Sequence, residues 1–227
     1  MRIMSERITE FRRAIDYLPE SAILVLQDVE WEEYESLLEN LEDRPGVRLT
    51  YDQGRLEIVT TSRKHEKHKT FISGLVRILS DELHLTVEAS ASTTWMQERL
   101  AMGAEADECF HIANAALVIG KDELDLDVDP GPDLAVEIDV SNQSLSKLPI
   151  YAAFRVPEIW RYIAKRKTLV IYELRGDSYI AIEASRSFPM LTPAVLVEFL
   201  ERSASEGQTR ALNAFREWLR ITGPMRS

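Results

Sequence analysis

Residues 132–140 read Pro-Asp-Leu-Ala-Val-Glu-Ile-Asp-Val, an apolar run entered through a proline and left through Ser141-Asn142. Such a run, bounded by turn formers, is expected of a central strand buried on both faces. Two carboxylates interrupt it. Glu137 and Asp139 are two positions apart and so project from one face of the strand. Burying a carboxylate costs several kcal/mol unless a partner offsets it. Two readings therefore stand: the pair serves a site, or it lies on a half-exposed strand and is neutralised by lysine or arginine. Upstream, Ala-Asp-Glu-Cys-Phe-His-Ile (106–112) has strand character and carries Asp107. Asp107, Glu137 and Asp139 together would offer the hard oxygen ligands that Mg²⁺ or Mn²⁺ prefers.

Outward from this strand, the pattern alternates helices and strands. Residues 4–17 form an amphipathic helix, with Ile8, Phe11 and Ile15 on one side. Residues 22–27 are ambiguous between strand and loop. A helix follows from Asp28, with acidic residues in its first turn and a stripe of Trp31, Tyr34, Leu37, Leu38 and Leu41. Val-Arg-Leu-Thr-Tyr (47–51), the turn Asp52-Gln53-Gly54 and Arg-Leu-Glu-Ile-Val (55–59) make a hairpin signature. Ser62 can cap a long helix to about His84, with Ile72, Leu75, Val76, Leu79 and Leu83 on its apolar face. Extending that face backwards by helical spacing places His68 and His65 inside.

Strand-like pieces follow at 85–89, 92–96, 106–112 and 116–120, before the 134–140 strand. Residues 145–154 read as a helix despite Pro149. Strands then run at 159–163, 168–174 and 178–184, the last two turning at Arg175-Gly176-Asp177, and two helices close the sequence at 193–202 and 206–220. This order predicts an α/β (α+β) domain with a mixed central sheet flanked by helices. The whole of 1–227 is read as one domain, with an N-terminal helical arm over 1–20 and C-terminal helices over about 192–221.

Apolar residues make up 45% and charged residues 29% of the 227, an ordinary globular composition. No window approaches 18 consecutive apolar residues, so no membrane partner is expected. The charged start lacks a signal-peptide core, and the expected location is the cytoplasm. One cysteine, Cys109, excludes an internal disulfide and a multi-cysteine zinc site. The net charge of −11 counts against tight, general binding of a polyanion. Its distribution still leaves a basic cluster at Arg63, Lys64, Lys67 and Lys69.

Other candidates read more simply as structure. His65 and His68 are three apart, not the four of a zinc-protease helix. A transition-metal site of His65, His68 and Asp107 is a minor alternative to local hydrogen bonding. Trp95 reads as core, and Cys109 as a buried small hydrophobe. Arg99 and Lys121, with Trp95 as the less favoured third, could meet nucleic acid. Asp133 reads as a cap at the strand entry.

From Val29 to about Tyr162 the sequence resembles the Uma-two family of restriction-endonuclease-like proteins. The resemblance is carried by residues 48–59, His65-Glu66, Glu-Ala-Asp-Glu-Cys-Phe (105–110) and Pro-Asp-Leu-Ala-Val-Glu-Ile-Asp-Val-Ser (132–141). Lys147, Tyr151 and Val-Pro-Glu-Ile-Trp (156–160) extend it. It implies a PD-(D/E)XK nuclease core over about 29–185. In that fold an aspartate and a later glutamate hold the metal, here Asp107 and Glu137, and a lysine polarises the scissile phosphate. Asp139 stands where that lysine is expected, and the resemblance offers Lys147 from the following helix instead. Superfamily members add an acid from the first helix; Glu66 is in the matching place, and His65, which points inward, is the second choice. The implied activity is Mg²⁺- or Mn²⁺-dependent hydrolysis of phosphodiester bonds in DNA or another nucleic acid. Its rivals are a catalytically degenerate module that binds nucleic acid or protein, homodimeric through its terminal helices, and a small-phosphodiester hydrolase.

Overall fold

A computed structural model describes residues 2–222 except 42, 45, 92 and 141–145. The chain opens with α1 (Arg2–Asp16), β1 (Ile23–Leu26), α2 (Trp31–Leu41), β2 (Val47–Asp52), β3 (Arg55–Thr60) and α3 (Arg63–Leu83). It continues with β4 (Glu88–Ala89), β5 (Thr94–Gln97), β6 (Met102–Glu105), β7 (Glu108–His111) and the short α4 (Ala115–Val118). β8 (Leu134–Asp139), α5 (Leu148–Ala153), β9 (Glu158–Ile163), β10 (Thr168–Arg175) and β11 (Ser178–Ile182) follow. α6 (Pro193–Glu206) and α7 (Gln208–Thr222) are last.

The expected mixed sheet is present, six strands in the order β11-β10-β9-β8-β7-β4, with β8 and β9 the parallel pair. A second sheet, not foreseen from the sequence, accompanies it: β1-β3-β2-β6-β5, antiparallel throughout. The chain passes from one sheet to the other at Ala106-Asp107, between β6 and β7. The segment 116–120, read as a strand candidate, instead contributes to α4, with Ala115 and Val118 buried.

Local chemistry explains the principal elements. The β2–β3 turn sets Gln53 at φ 49° and Gly54 at φ 92°, the left-handed pair that a tight hairpin requires. Ser62 accepts the amide of His65 and caps α3, and His84 ends it in the left-handed conformation. Helical spacing then buries His65, His68, Phe71, Ile72, Leu75, Val76 and Leu79 on one face.

Along β8 the side chains alternate. Leu134, Val136 and Ile138 enter the main core with α3, α6, α7 and Trp160. Ala135 faces the opposite way, into a core containing Ile150, Tyr151 and Ile159. Glu137 and Asp139 share the Ala135 side, beneath α5. A third core joins α1 and α2 to β2 and β3 through Ile8, Ile15, Tyr34, Leu37, Tyr51 and Ile58. Another buried acid, Glu158, is purely structural, accepting hydrogen bonds from Trp160, Ser187 and the amides of Arg186 and Ser187. No helix among the described residues is long and apolar enough to cross a membrane.

Candidate active site

Asp107 occupies the step between the two sheets. Its amide donates to the carbonyl of Val136 (3.1 Å), and its Oδ2 accepts the amide of Ile138 (2.6 Å). Its Oδ1 lies 3.0 Å from Nε2 of His65. The other ring nitrogen of His65, Nδ1, lies 3.1 Å from Oε1 of Glu66. The inward face of α3 thus places His65 against the carboxylate, while Glu66, more exposed, steadies the ring from outside.

Glu137 reaches from β8 to the start of α5. Lys147 Nζ donates to both of its oxygens, at 3.1 and 3.0 Å, and to the carbonyl of Glu105 at 2.8 Å. Tyr151, one turn along, donates its hydroxyl to Glu137 Oε1. Lys147 therefore ties the end of β6 to β8 and delivers its ammonium group although Asp139 holds the position two after Glu137. Asp139 lines the same cleft but is paired with Arg161 at 3.0 Å.

Asp107, Glu137, Asp139, Lys147 and His65 line one cleft of about 60 Å³, together with Arg48 and Thr60–Ser62. A water molecule needs roughly 10–15 Å³ measured this way, so the cleft has room for an ion or a few waters and for nothing as large as a nucleotide. A wider groove of about 1230 Å³ adjoins it, sharing Arg48, Thr60, Thr61 and Ser62.

Charge within the cleft is unevenly held. Burial works against ionised Asp107, but the His65 hydrogen bond and the Lys147 charge outweigh it and hold the carboxyl below its usual range. Burial lifts Glu137 above the usual range, against the pull of Lys147 and with the help of Asp107. For Lys147, burial would favour the neutral amine; Glu137 and Asp107 outweigh it and push the ammonium pKa up. His65 is likewise raised, burial being overcome by Asp107 and then Glu66; when protonated, the ring can donate to both carboxylates. Burial takes Glu105 up to about 7, against Arg48, whose guanidinium lies 2.9 Å from it, and Lys147.

The donor set suits a hard divalent cation. A carboxylate has about four acceptor positions; the bonds above use two on Asp107 and three on Glu137, which leaves two and one. Mg²⁺ is commonly held by one or two carboxylates with waters completing its shell. Among the described residues no three His, Cys, Asp or Glu side chains converge on a metal position. The His65, His68 and Asp107 alternative is not formed: His68 turns away and packs edge-on against Tyr162, ring centroids 5.1 Å apart.

The remaining candidates are structural. Trp95 is buried and donates its Nε1–H to Cys109 Sγ. Burial pushes the Cys109 thiol up to about 12, far from nucleophilic use. Arg99 and Lys121 pair with Asp127 and Asp129. Asp133 accepts the amides of Ile112 and Asn114, so it clamps the loop after β7 rather than its own strand. Sequence patterning alone does not single out Arg48 or Glu105. An arginine alternating with Leu49 and Tyr51 looks like the solvent face of a hairpin, and only the second sheet reveals that this face is covered.

Comparison with known proteins adds the following. The Uma2 family model, described as "Putative restriction endonuclease", matches residues 31–215, well over half of the chain. A solved structure described as a "putative nuclease belonging to DUF820" from Anabaena variabilis ATCC 29413 superposes with a TM-score of 0.48. It is 15% identical, over 67% of this chain and 90% of that one. No curated protein matches.

Proposed function

The chain belongs to the Uma2 family, and from that premise we propose that it hydrolyses phosphodiester bonds in nucleic acid, DNA in the first instance, with Mg²⁺ or Mn²⁺ held by Asp107 and Glu137. The observation that carries this reading is the convergence of Asp107, Glu137 and the Lys147 ammonium group on one small cleft. The metal, when bound, supplies a water of lowered pKa and a Lewis-acid contact to the phosphate.

The protein's own groups perform the rest. Lys147, kept protonated by its acidic neighbours, meets the negative charge that builds on the phosphoryl oxygens as the nucleophile enters. His65 fixes the orientation of Asp107 and is itself fixed by Glu66. Tyr151 does the same for Glu137. Asp139, committed to Arg161, stiffens the end of β8 beside the cleft and is not needed as a ligand in this scheme.

The test combines calorimetric Mn²⁺ binding with nicking of supercoiled plasmid, on the wild type, Asp107→Ala and Glu137→Ala. Metal-dependent nicking by the wild type, with binding and nicking both lost in each variant, is the expected result. Site-dependent binding without nicking would instead favour the degenerate binding module. Mn²⁺ binding unaltered by either substitution would remove the proposal altogether.

A further inference from the structure

Lys147 and Arg48 are the lysine and the arginine that line the small cleft beside Asp107 and Glu137. They reach it from different parts of the fold, Lys147 from the entry to α5 and Arg48 from β2 in the second sheet. Both are anchored on Glu105, the last residue of β6. Lys147 donates to its carbonyl at 2.8 Å, and Nη1 of Arg48 lies 2.9 Å from its carboxylate. The same Nη1 reaches the carbonyl of Val47 at 3.4 Å. Arg48 also lines the wide groove, together with Thr60, Thr61 and Ser62, so it stands where the cleft meets a space large enough for a nucleotide.

Charge by itself does not select a ligand here, because the cations around both spaces have acidic neighbours. Lys69 faces Glu66 at 3.9 Å, Arg161 holds Asp139, and Arg44 pairs with Asp16. Arg48 differs in which of its donors are used. A guanidinium carries five N–H donors in a rigid fork. The contact with Glu105 engages Nη1, whereas Nε is buried and meets no acceptor among the described residues. Nη2 makes no hydrogen bond among them either. Nε and Nη2 form one edge of the group, the kind that takes a phosphate through two parallel N–H···O bonds. A buried donor left unmet costs about 1–3 kcal/mol, and an arriving acceptor removes that cost. Glu105 therefore orients Arg48 without using it up. The side chain, 13% exposed, is held in place by its surroundings.

We propose that Arg48 is a catalytic residue of this cleft, its Nε–Nη2 edge holding the non-bridging oxygens of the scissile phosphate together with Lys147. This rests on the nuclease reading of the cleft and gives that reaction a second cation, supplied by the second sheet. Arg48 forms and breaks no covalent bond in this role. It meets the charge on the phosphoryl oxygens as the water oxygen adds to phosphorus and the ester oxygen leaves.

The experiment has a spectroscopic arm and a kinetic one. In nitrogen-edited proton NMR, the Arg48 Nε–H signal is assigned by its loss in Arg48→Lys. Thymidylyl-thymidine, which carries one phosphate, is then added at millimolar concentration with Ca²⁺ in place of Mn²⁺, so that contact is read without turnover. The Arg48 signal should shift. Plasmid nicking is measured in a Glu105→Gln background, where Arg48 no longer has a buried carboxylate to neutralise. Adding Arg48→Gln there should lower kcat by about 10²-fold, the order seen when one donor to a developing oxyanion is removed, while Mn²⁺ affinity and melting temperature match those of Glu105→Gln alone. An unmoved Arg48 signal, or a kcat that Arg48→Gln leaves unchanged in that background, would overturn the proposal and reduce Arg48 to a counter-ion of Glu105. A shifted signal in a protein that never nicks plasmid would uphold the phosphate contact while removing the nuclease reading; nicking indifferent to Arg48 would do the reverse.

Discussion

Lys147 shows how much one residue carries here. Its ammonium touches both oxygens of Glu137 and the carbonyl of Glu105, and its charge also stabilises Asp107. Both partners of the ion pair are largely buried, with side chains 11% and 17% exposed. Removing one member of a buried pair leaves an uncompensated charge, at a cost of about 3–5 kcal/mol. Lys147→Met should therefore lower stability by that order in denaturant unfolding without metal, and saturating Mn²⁺ should recover part of the loss by screening Glu137 and Asp107. Nicking should not recover with it, because the methionine offers no charge to the phosphate. A variant as stable as the wild type would mean that the ion pair contributes nothing net. Glu137 and Asp139 stand out in the sequence because carboxylates are costly in an apolar strand, though the structure pairs Asp139 with Arg161; Asp107 stands out by its neighbouring strand-like segment and by the resemblance. Lys147 emerged only by resemblance, since nothing in its local pattern sets it apart from a surface lysine. Arg48 was hidden for the opposite reason, because its alternation with apolar neighbours is what an exposed strand face shows.

At the scale of elements, strongly patterned segments could be read and short ones could not. The hairpin at Gln53-Gly54 and the cap at Ser62 have sequence signals with direct mechanisms, and the structure contains both. β6 gave no such signal, because Met-Gly-Ala-Glu is only four residues long and contains a glycine. With β6 unread, the second sheet went unread too, since β6 is the strand that joins β5 to β2. The glycine has a packing reason. A Cβ at Gly103 would stand 2.2 Å from the hydroxyl of Tyr34, 2.7 Å from Cζ and 2.8 Å from Cε1. Tyr34 has little freedom to move, because its ring stacks on Tyr51 at 4.9 Å and meets Trp31 edge-on. Overpacking of this kind typically costs about 1–3 kcal/mol, and Gly103→Ala should lose that much in urea unfolding. Tyr34→Phe removes the nearest clashing atom, and the Tyr34 hydroxyl has no partner among the described residues. The double variant should thus recover part of the loss, and strict additivity of the two changes would contradict this packing explanation.

Across the whole molecule, stability near neutral pH balances groups placed in different cores. His111 lies beside Trp95, its ring nitrogens near Ser90 Oγ and the carbonyl of Pro130, and burial lowers its pKa against the pull of that carbonyl and Asp133. His68, on α3, is lowered by burial and then by Lys64, against Glu201. For both, the folded pKa lies below the ordinary histidine value of 6.5, so their contribution is present above that pH and is lost as pH falls. His65 and Glu105 act in the other direction. Their folded pKa values are raised, so the stability they contribute is complete below their unfolded values and is lost as pH rises through the folded ones. For Glu105 that window runs from the ordinary glutamate value of 4.5 to about 7. The slopes of the two lowered histidines and of Glu105 oppose one another below pH 6.5 and above pH 4.5, and the wild type should show a shallower dependence there than either set alone would give. His111→Gln removes one histidine slope and leaves the carboxylate slope intact. Its melting temperature should therefore improve relative to the wild type as pH falls from about 7.5 to 5.5, whatever the fixed cost of the substitution. Glu105→Gln should shift the balance the opposite way, losing ground relative to the wild type over the same fall in pH. Wild-type and variant curves running parallel across this range would show that these buried groups do not govern the pH response.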